Sequence, residues 1–239
     1  YLGKLYDEMQ TESFLYTVLS VAGFPSQLTD ESVRAYDWGS INNTIISEAA
    51  FTWWDYNAIR ESNYFLEKVQ DANLLSKDIQ RMTAAARFVR AFHYFALVKR
   101  YGGVPLVKTP QTLEQIGTLK IPRSTEEEIY EFIKSEIDEL VGDLPESWDG
   151  PNRFRATKYS AYALKSRAML YAGSIATYGR VQNKGLVGIP KEKRSYFFNE
   201  SIKASEAIIS SGRFKLYEKN SDKSQNYQNL FLDKDMHSE

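Results

Sequence analysis

One stretch of the chain narrows the possible folds more than any other. From Ala84 to Tyr101 no residue interrupts a helix, and Gly102, Gly103 and Pro105 then follow. The periodicity predicts a helix over Ser76–Tyr101, ended by the glycine pair with a proline just beyond. Its small residues (Ala84, Ala85, Ala86, Ala91, Ala96) let neighbours approach closely, and Phe88, Val89, Phe92, Phe95 and Val98 fill the space between. A helix apolar around most of its circumference has to be covered on most of its circumference. The segment therefore reads as the hub of an all-α protein.

The rest of the pattern is helical too. Leu2, Leu5, Met9, Phe14, Leu15, Val18 and Leu19 suggest a first helix to about Val21. Residues 22–43 are loop-like, and Thr44 can cap a second helix carrying Phe51, Trp54, Tyr56, Ile59, Asn63, Leu66 and Val69. After a connector punctuated by Pro105, Pro110 and Pro122, Ser124 and Glu127 are spaced as a capping box ahead of Ile129, Phe132, Ile133, Ile137 and Leu140. Further helices are expected from Thr157 to about Tyr178 and, as the last, from Ser195 to Ser211 with Gly212 at its C-cap. No strand pattern of comparable length occurs.

An internal repeat selects among helical architectures. Arg90-Ala91-x-x-Tyr94 followed by Tyr101-Gly102 returns as Arg167-Ala168-x-x-Tyr171 followed by Tyr178-Gly179, offset by 77 residues (90 to 167). That is close to two tetratricopeptide periods of about 34 residues with loop insertions. Stacked helix pairs, degenerate tetratricopeptide-like repeats with long irregular loops, are the most economical fold.

The chemistry on offer is that of binding. A net charge of −1 and a pI near 6.3 argue against a nucleic-acid partner, which leaves a basic footprint. With His93 and His237 alone and no cysteine, the chain has no helix-spaced metal site and calls for no cofactor. His93 lies inside the hub helix and reads as a packed, hydrogen-bonded core residue, His237 as exposed. Gly102-Gly103-Val104-Pro105 closes a helix instead of opening one, so it is not a phosphate loop. Asp30, Glu31 and Asp37 are the carboxylates that a glycosidase would need, but a solvated loop with helix-capping acids explains them more simply. Glu126-Glu127-Glu128 fits a favourable charge cluster at a helix N-terminus.

The loop at 22–43 holds the candidate ligand residues Arg34, Tyr36, Asp37, Trp38, Asn42 and Asn43. A sugar needs a flat ring to cover its C–H face and planar amides, carboxylates or guanidinium groups for its hydroxyls. This loop has both kinds. Tyr36 and Trp38 can equally fold back on the helices as a staple, and the residues alone leave the two readings open.

Five stretches resemble the SusD/RagB family, in the family's order. The hub from Ala84 to Leu106 is one of them. Trp54-x-Tyr56-Asn57-x-Ile59-Arg60-x-x-Asn63-x-x-Leu66 is similar to its second-helix motif, and Ile121-Pro122-Arg123-Ser124-Thr125 to the lead-in of the next helix. Arg155-Ala156-Thr157-Lys158 through Tyr171, and Ala207-Ile208-Ile209 through Leu216 with Asn229-Leu230-Phe231, follow in register. The resemblance covers nearly the whole chain, which reads as one helical domain (1–239) without the C-terminal part of the family fold. The abrupt starting residue, Tyr1, suggests a processed or truncated product.

The resemblance implies a non-catalytic lipoprotein on the outer face of a Gram-negative outer membrane. It would bind oligosaccharide, pass it to a SusC-like TonB-dependent transporter, and touch the membrane only through an N-terminal lipid anchor absent from this chain. Thr29-Asp30-Glu31 stands where the starch-binding relative has such a string ahead of its stacking residues, which points to Arg34, Tyr36 and Trp38; Arg34 replaces an aromatic there and leaves the glycan class open. The alternatives are a peptide-binding protein of RagB type, a repeat adaptor for a protein partner, and a glycosidase of helical-toroid type.

Overall fold

The structure is a computed structural model of the chain, described here for residues 1–9, 54–112, 114–115 and 120–233. The described residues form seven α-helices: α1 (Leu2–Asp7), α2 (Asn57–Lys68), α3 (Ser76–Tyr101), α4 (Glu126–Leu140), α5 (Lys158–Tyr178), α6 (Arg194–Ile209) and α7 (Lys223–Leu232). Two isolated bridges, Pro105 with Arg123 and Gln182 with Val187, are the extended pairings among them. The chain is all-α, as its sequence predicts.

From α2 onwards helices pack in chain order, α2 on α3, α3 on α4, α4 on α5 and α5 on α6, as expected of stacked repeats. The hub occupies its predicted span to the residue. From Ala84 to Val98 it buries residues on every side, including Arg90 and His93. Its rings meet the next helix edge-on, Tyr94 with Phe132 at 5.1 Å and Phe95 with Tyr130 at 6.4 Å between centroids. On α5 the small residues Ala161, Ala168, Ala172, Gly173 and Ala176 are buried and admit α6 closely. A Cβ on Gly173 would stand 2.6 Å from the Phe198 ring. Ser166 adds hydrogen bonds to Ser201 and Ser205 across the same contact.

Four sequence expectations are corrected. The first helix stops at Asp7, where Glu8 closes it by donating its N–H to Lys4 and Tyr6 carbonyls; with two acids at the negative end of the dipole, extension is unfavourable. The helix expected to carry Trp54 and Tyr56 holds neither, because α2 begins at Asn57, where the Asp55 carboxylate accepts the Asn57 N–H at 2.8 Å; the Thr44 cap lies outside the described residues. The capping box of α4 is Thr125 with Glu128, one residue later than the Ser124–Glu127 pair. Ser124 gives its N–H to the Val104 carbonyl at 3.0 Å instead. Finally, α6 is not the last helix. Asp222 caps α7, on which only Asn226 is buried.

Candidate functional site

Arg34, Tyr36, Asp37, Trp38, Asn42 and Asn43 all lie outside the described residues, as do Asp30, Glu31 and His237. What the structure gives is the framework from which the segment 10–53 departs and to which it returns. On the departing side, Tyr1 donates a hydrogen bond to Glu61 on α2 and stacks on Phe65 at 5.8 Å. Tyr6 accepts the Ala156 N–H at 2.9 Å, fastening α1 to the chain just ahead of α5. On the returning side, the half-exposed Trp54 ring stands edge-on to Tyr101 at 5.0 Å and tilted against Tyr56 at 5.6 Å. Both roots of the candidate loop therefore rest on the hub and its neighbours.

The connector after the hub is irregular backbone, and side chains from three elements satisfy it. Tyr56 donates to the Pro105 carbonyl at 2.8 Å. Tyr94 accepts the Val107 N–H at 2.7 Å and donates to the Val107 carbonyl, which also receives Asn63 Nδ2 at 3.0 Å. Arg123 donates to the carbonyls of Tyr101 and Gly103, both at 2.7 Å, and so caps the end of α3. Gly102 has φ +67°, and a Cβ there would run into the Leu186 carbonyl; one on Gly103 would run into the Ser124 carbonyl. These glycines serve a turn and a close approach, as their position at a helix end predicts. The Arg123–Asn63–Tyr94 clamp was not singled out in the sequence. For Asn63 and Tyr94 the signal is a polar group inside an otherwise apolar helical pattern, whereas Arg123 lies in the connector ahead of α4.

Beneath the connector lies a buried ionic cluster. Glu136 on α4 receives Arg90 at 2.6 Å and Arg87 at 2.9 Å, both from the hub. Arg90 also donates to Asn63 Oδ1 at 2.7 Å, joining α2, α3 and α4. A second cluster joins α4, α5 and α6: Lys165 reaches Asp138 at 2.6 Å and Glu200 at 2.8 Å. Burial works to raise the Glu200 carboxyl, but hydrogen bonds from Lys165 and Lys203 and the charge of nearby Lys134 outweigh it and hold the group at about 2.

The acidic run at the start of α4 divides its roles. Glu128 closes the capping box, Glu127 pairs with Lys193 at 2.7 Å, and buried Glu126 accepts the Gly188 N–H at 2.5 Å. Burial raises the Glu126 carboxyl, with the Gly188 N–H opposing. These contacts place the run's chemistry in the scaffold.

His93 is fully buried, and burial lowers its pKa to about 4 against the opposing charge of Asp55, so its ring is neutral at pH 7. Among the described residues no cluster of three or more His, Asp or Glu side chains is arranged to hold a metal ion. No helix among them is long and apolar enough to cross a membrane.

Helices packed in chain order, α2 to α6, define a stacked-repeat scaffold. A family model described as "Starch-binding associating with outer membrane", SusD-like, matches residues 4–170. The chain belongs to this family. It is 28% identical over 118 residues to the SusD-like protein P25 of Formosa agariphila, a match spanning 48% of this chain and 22% of that protein. Identity to the starch-binding protein SusD of Bacteroides thetaiotaomicron is also 28% over 118 residues, covering 48% and 19% respectively. Among solved structures, a SusD-like protein of Bacteroides fragilis superposes with a TM-score of 0.65 at 25% identity, over 96% of this chain and 40% of the other. The chain thus matches less than half the length of these relatives.

Proposed function

We propose that this chain is the helical scaffold of a glycan-binding protein of nutrient uptake. It captures oligosaccharide at the cell surface and delivers it to a SusC-like, TonB-dependent transporter of the outer membrane, which it covers as a lid. In this reading the whole protein is held to the outer face of that membrane by an N-terminal lipid anchor, and it performs no catalysis. The observation that carries the reading is the match of residues 4–170 to the starch-binding, outer-membrane-associating family. The name of the Bacteroides thetaiotaomicron relative supports a saccharide as the ligand.

Recognition rests on Trp38 and Tyr36 stacking on the sugar face, with Arg34, Asp37, Asn42 and Asn43 directing its hydroxyls. Binding by stacking and hydroxyl hydrogen bonds has to order a flexible sugar chain, so the affinity of this site alone is modest. Tight capture comes from closure against the transporter.

The test is calorimetric titration of the chain with a panel of oligosaccharides and, separately, a peptide mixture. Saturable heat with one glycan class, lost in Trp38→Ala while helicity is retained, is the expected result. Heat from peptides alone would replace the glycan reading with that of a RagB-type peptide binder. Product release from any glycan would replace it with a hydrolase.

A further inference from the structure

A small open cleft of about 200 Å³ lies between the start of the hub and the turn that follows α4, lined by Lys77, Gln80, Arg81, Gly142, Asp143, Leu144 and Pro145. Lys77, Gln80 and Arg81 are spaced i, i+3, i+4 on α3 and so share one face. Among the described residues, none of Lys77, Gln80, Arg81 and Asp143 makes a side-chain hydrogen bond or ion pair. The cations do not serve α4 as caps either, because Val141 ends it through its own N–H to the Ile137 carbonyl.

We propose that this cleft is a saccharide subsite for a sugar unit bearing an acidic group, a carboxylate or a sulfate ester. The chemistry matches part by part. Arg81 and Lys77 supply the positive charge, the guanidinium in a planar fork suited to an oxyanion. Gln80 and Asp143 supply a planar amide and a carboxylate for ring hydroxyls, and Leu144 and Pro145 complete the lining. Two cations against one carboxylate leave the lining with a net positive charge, which favours an anionic group over a neutral one. A volume well below the roughly 300–1,000 Å³ of drug-sized sites fits one monosaccharide unit of a longer chain. The proposal rests on the glycan-binding reading and adds to it the class of glycan and a second contact point away from Trp38 in sequence.

The experiment is an amide-resolved NMR titration of the chain with an oligouronide, a sulfated oligosaccharide, their neutral counterpart and inorganic sulfate. It is run on the unaltered chain, Arg81→Met and Trp38→Ala. Since the Arg81 guanidinium has no partner among the described residues, Arg81→Met should fold normally. The expected result is saturable shifts at Gln80, Arg81, Gly142 and Asp143 with an acidic oligosaccharide, weakened about tenfold or more in Arg81→Met and persisting in Trp38→Ala. The uronide and sulfate arms separate the two sources of the acidic group. Binding lost in Trp38→Ala and unchanged in Arg81→Met would overturn the subsite and keep the glycan reading. Equal shifts with the neutral sugar or with inorganic sulfate would overturn the acidic-sugar assignment. Silence with every sugar would overturn both.

Discussion

Glu136→Ala is expected to be among the most damaging truncations of a polar side chain in the described residues. The Glu136 side chain is 7% exposed, and the Arg90 side chain that it meets at 2.6 Å is 8% exposed. Removing the carboxylate leaves the Arg90 guanidinium buried with only the neutral acceptors Asn63 Oδ1 and the Lys108 carbonyl. It also takes from Arg87 its less exposed partner, leaving that side chain the exposed Glu139. Breaking a buried pair from one side costs about 3–5 kcal/mol, because the remaining charge stays desolvated. In a chain of this size each kcal/mol moves Tm by about 2–4 °C, so the expected loss is about 6–20 °C.

Thermal unfolding followed by far-ultraviolet circular dichroism reads this directly, with two companions that isolate the cause. Adding Arg90→Met to Glu136→Ala should recover part of the loss, since the orphaned charge is then gone. Glu146→Ala breaks only the surface pair with Arg213, whose side chains are 52% and 46% exposed, and should change stability by less than about 1 kcal/mol. A Tm drop below about 2 °C for Glu136→Ala, or no recovery in the double variant, would refute the claim that the cluster's weight lies in leaving Arg90 unpaired.

Gly173→Ala, normally a gain of about 1 kcal/mol in a helix, should instead destabilise by about 1–3 kcal/mol by denaturant titration, since its Cβ would meet the Phe198 ring at 2.6 Å. Gly103→Ala should loosen the junction of three segments; faster hydrogen exchange confined to the Gly102–Arg123 connector and to Leu186–Gly188 is the expected signature, and unchanged exchange would contradict the close approach to Ser124. The depressed Glu200 pKa of about 2 gives stability that is present above the ordinary carboxylate value and is lost as pH falls from about 4.5 towards 2. Lys165→Met should move that loss to higher pH in a carboxyl NMR titration; an unmoved Glu200 would show that Lys165 is not what holds it.

What could be read from the sequence was set by local causes. The hub's span follows from an uninterrupted helical run and a glycine stop, and both act within a turn or two. The capping box came out one residue early because Ser124 and Thr125 each have a glutamate three positions on. Only the bridge from Ser124 to Val104, a tertiary contact, decides between them. Helix α7 escaped notice because Tyr227, Leu230, Phe231 and Leu232 are exposed and form no stripe facing the core. For the candidate segment at 22–43, the sequence supplied residue types suited to sugar, and these lie outside the described residues. The polar cleft at Lys77 and Arg81 was out of reach for another reason. Half of it belongs to a turn more than 60 residues further along the chain, and surface cations on a helix carry no local sign of lacking a partner.

The internal repeat shows what such a motif encodes and what it leaves to context. Ala91 and Ala168 are both wholly buried, so in each copy the small residue lets another helix come close. The companions diverge. Arg90 is buried on Glu136, whereas Arg167 is exposed, its guanidinium 5.9 Å from the Tyr171 ring. Tyr94 is buried against the connector, while Tyr171 is 38% exposed and meets the hub through Phe95. Even the closing glycines differ, Gly102 at φ +67° and Gly179 at φ −77°. The recurring element is thus a packing distance, met by an alanine, while the polar and aromatic residues take whatever partner their layer provides. A scaffold specified in this way tolerates different loops between its helices. On the proposed glycan-binding reading, specificity is then expected in the segments between the helices and in side chains such as Lys77 and Arg81 that the stacking does not use.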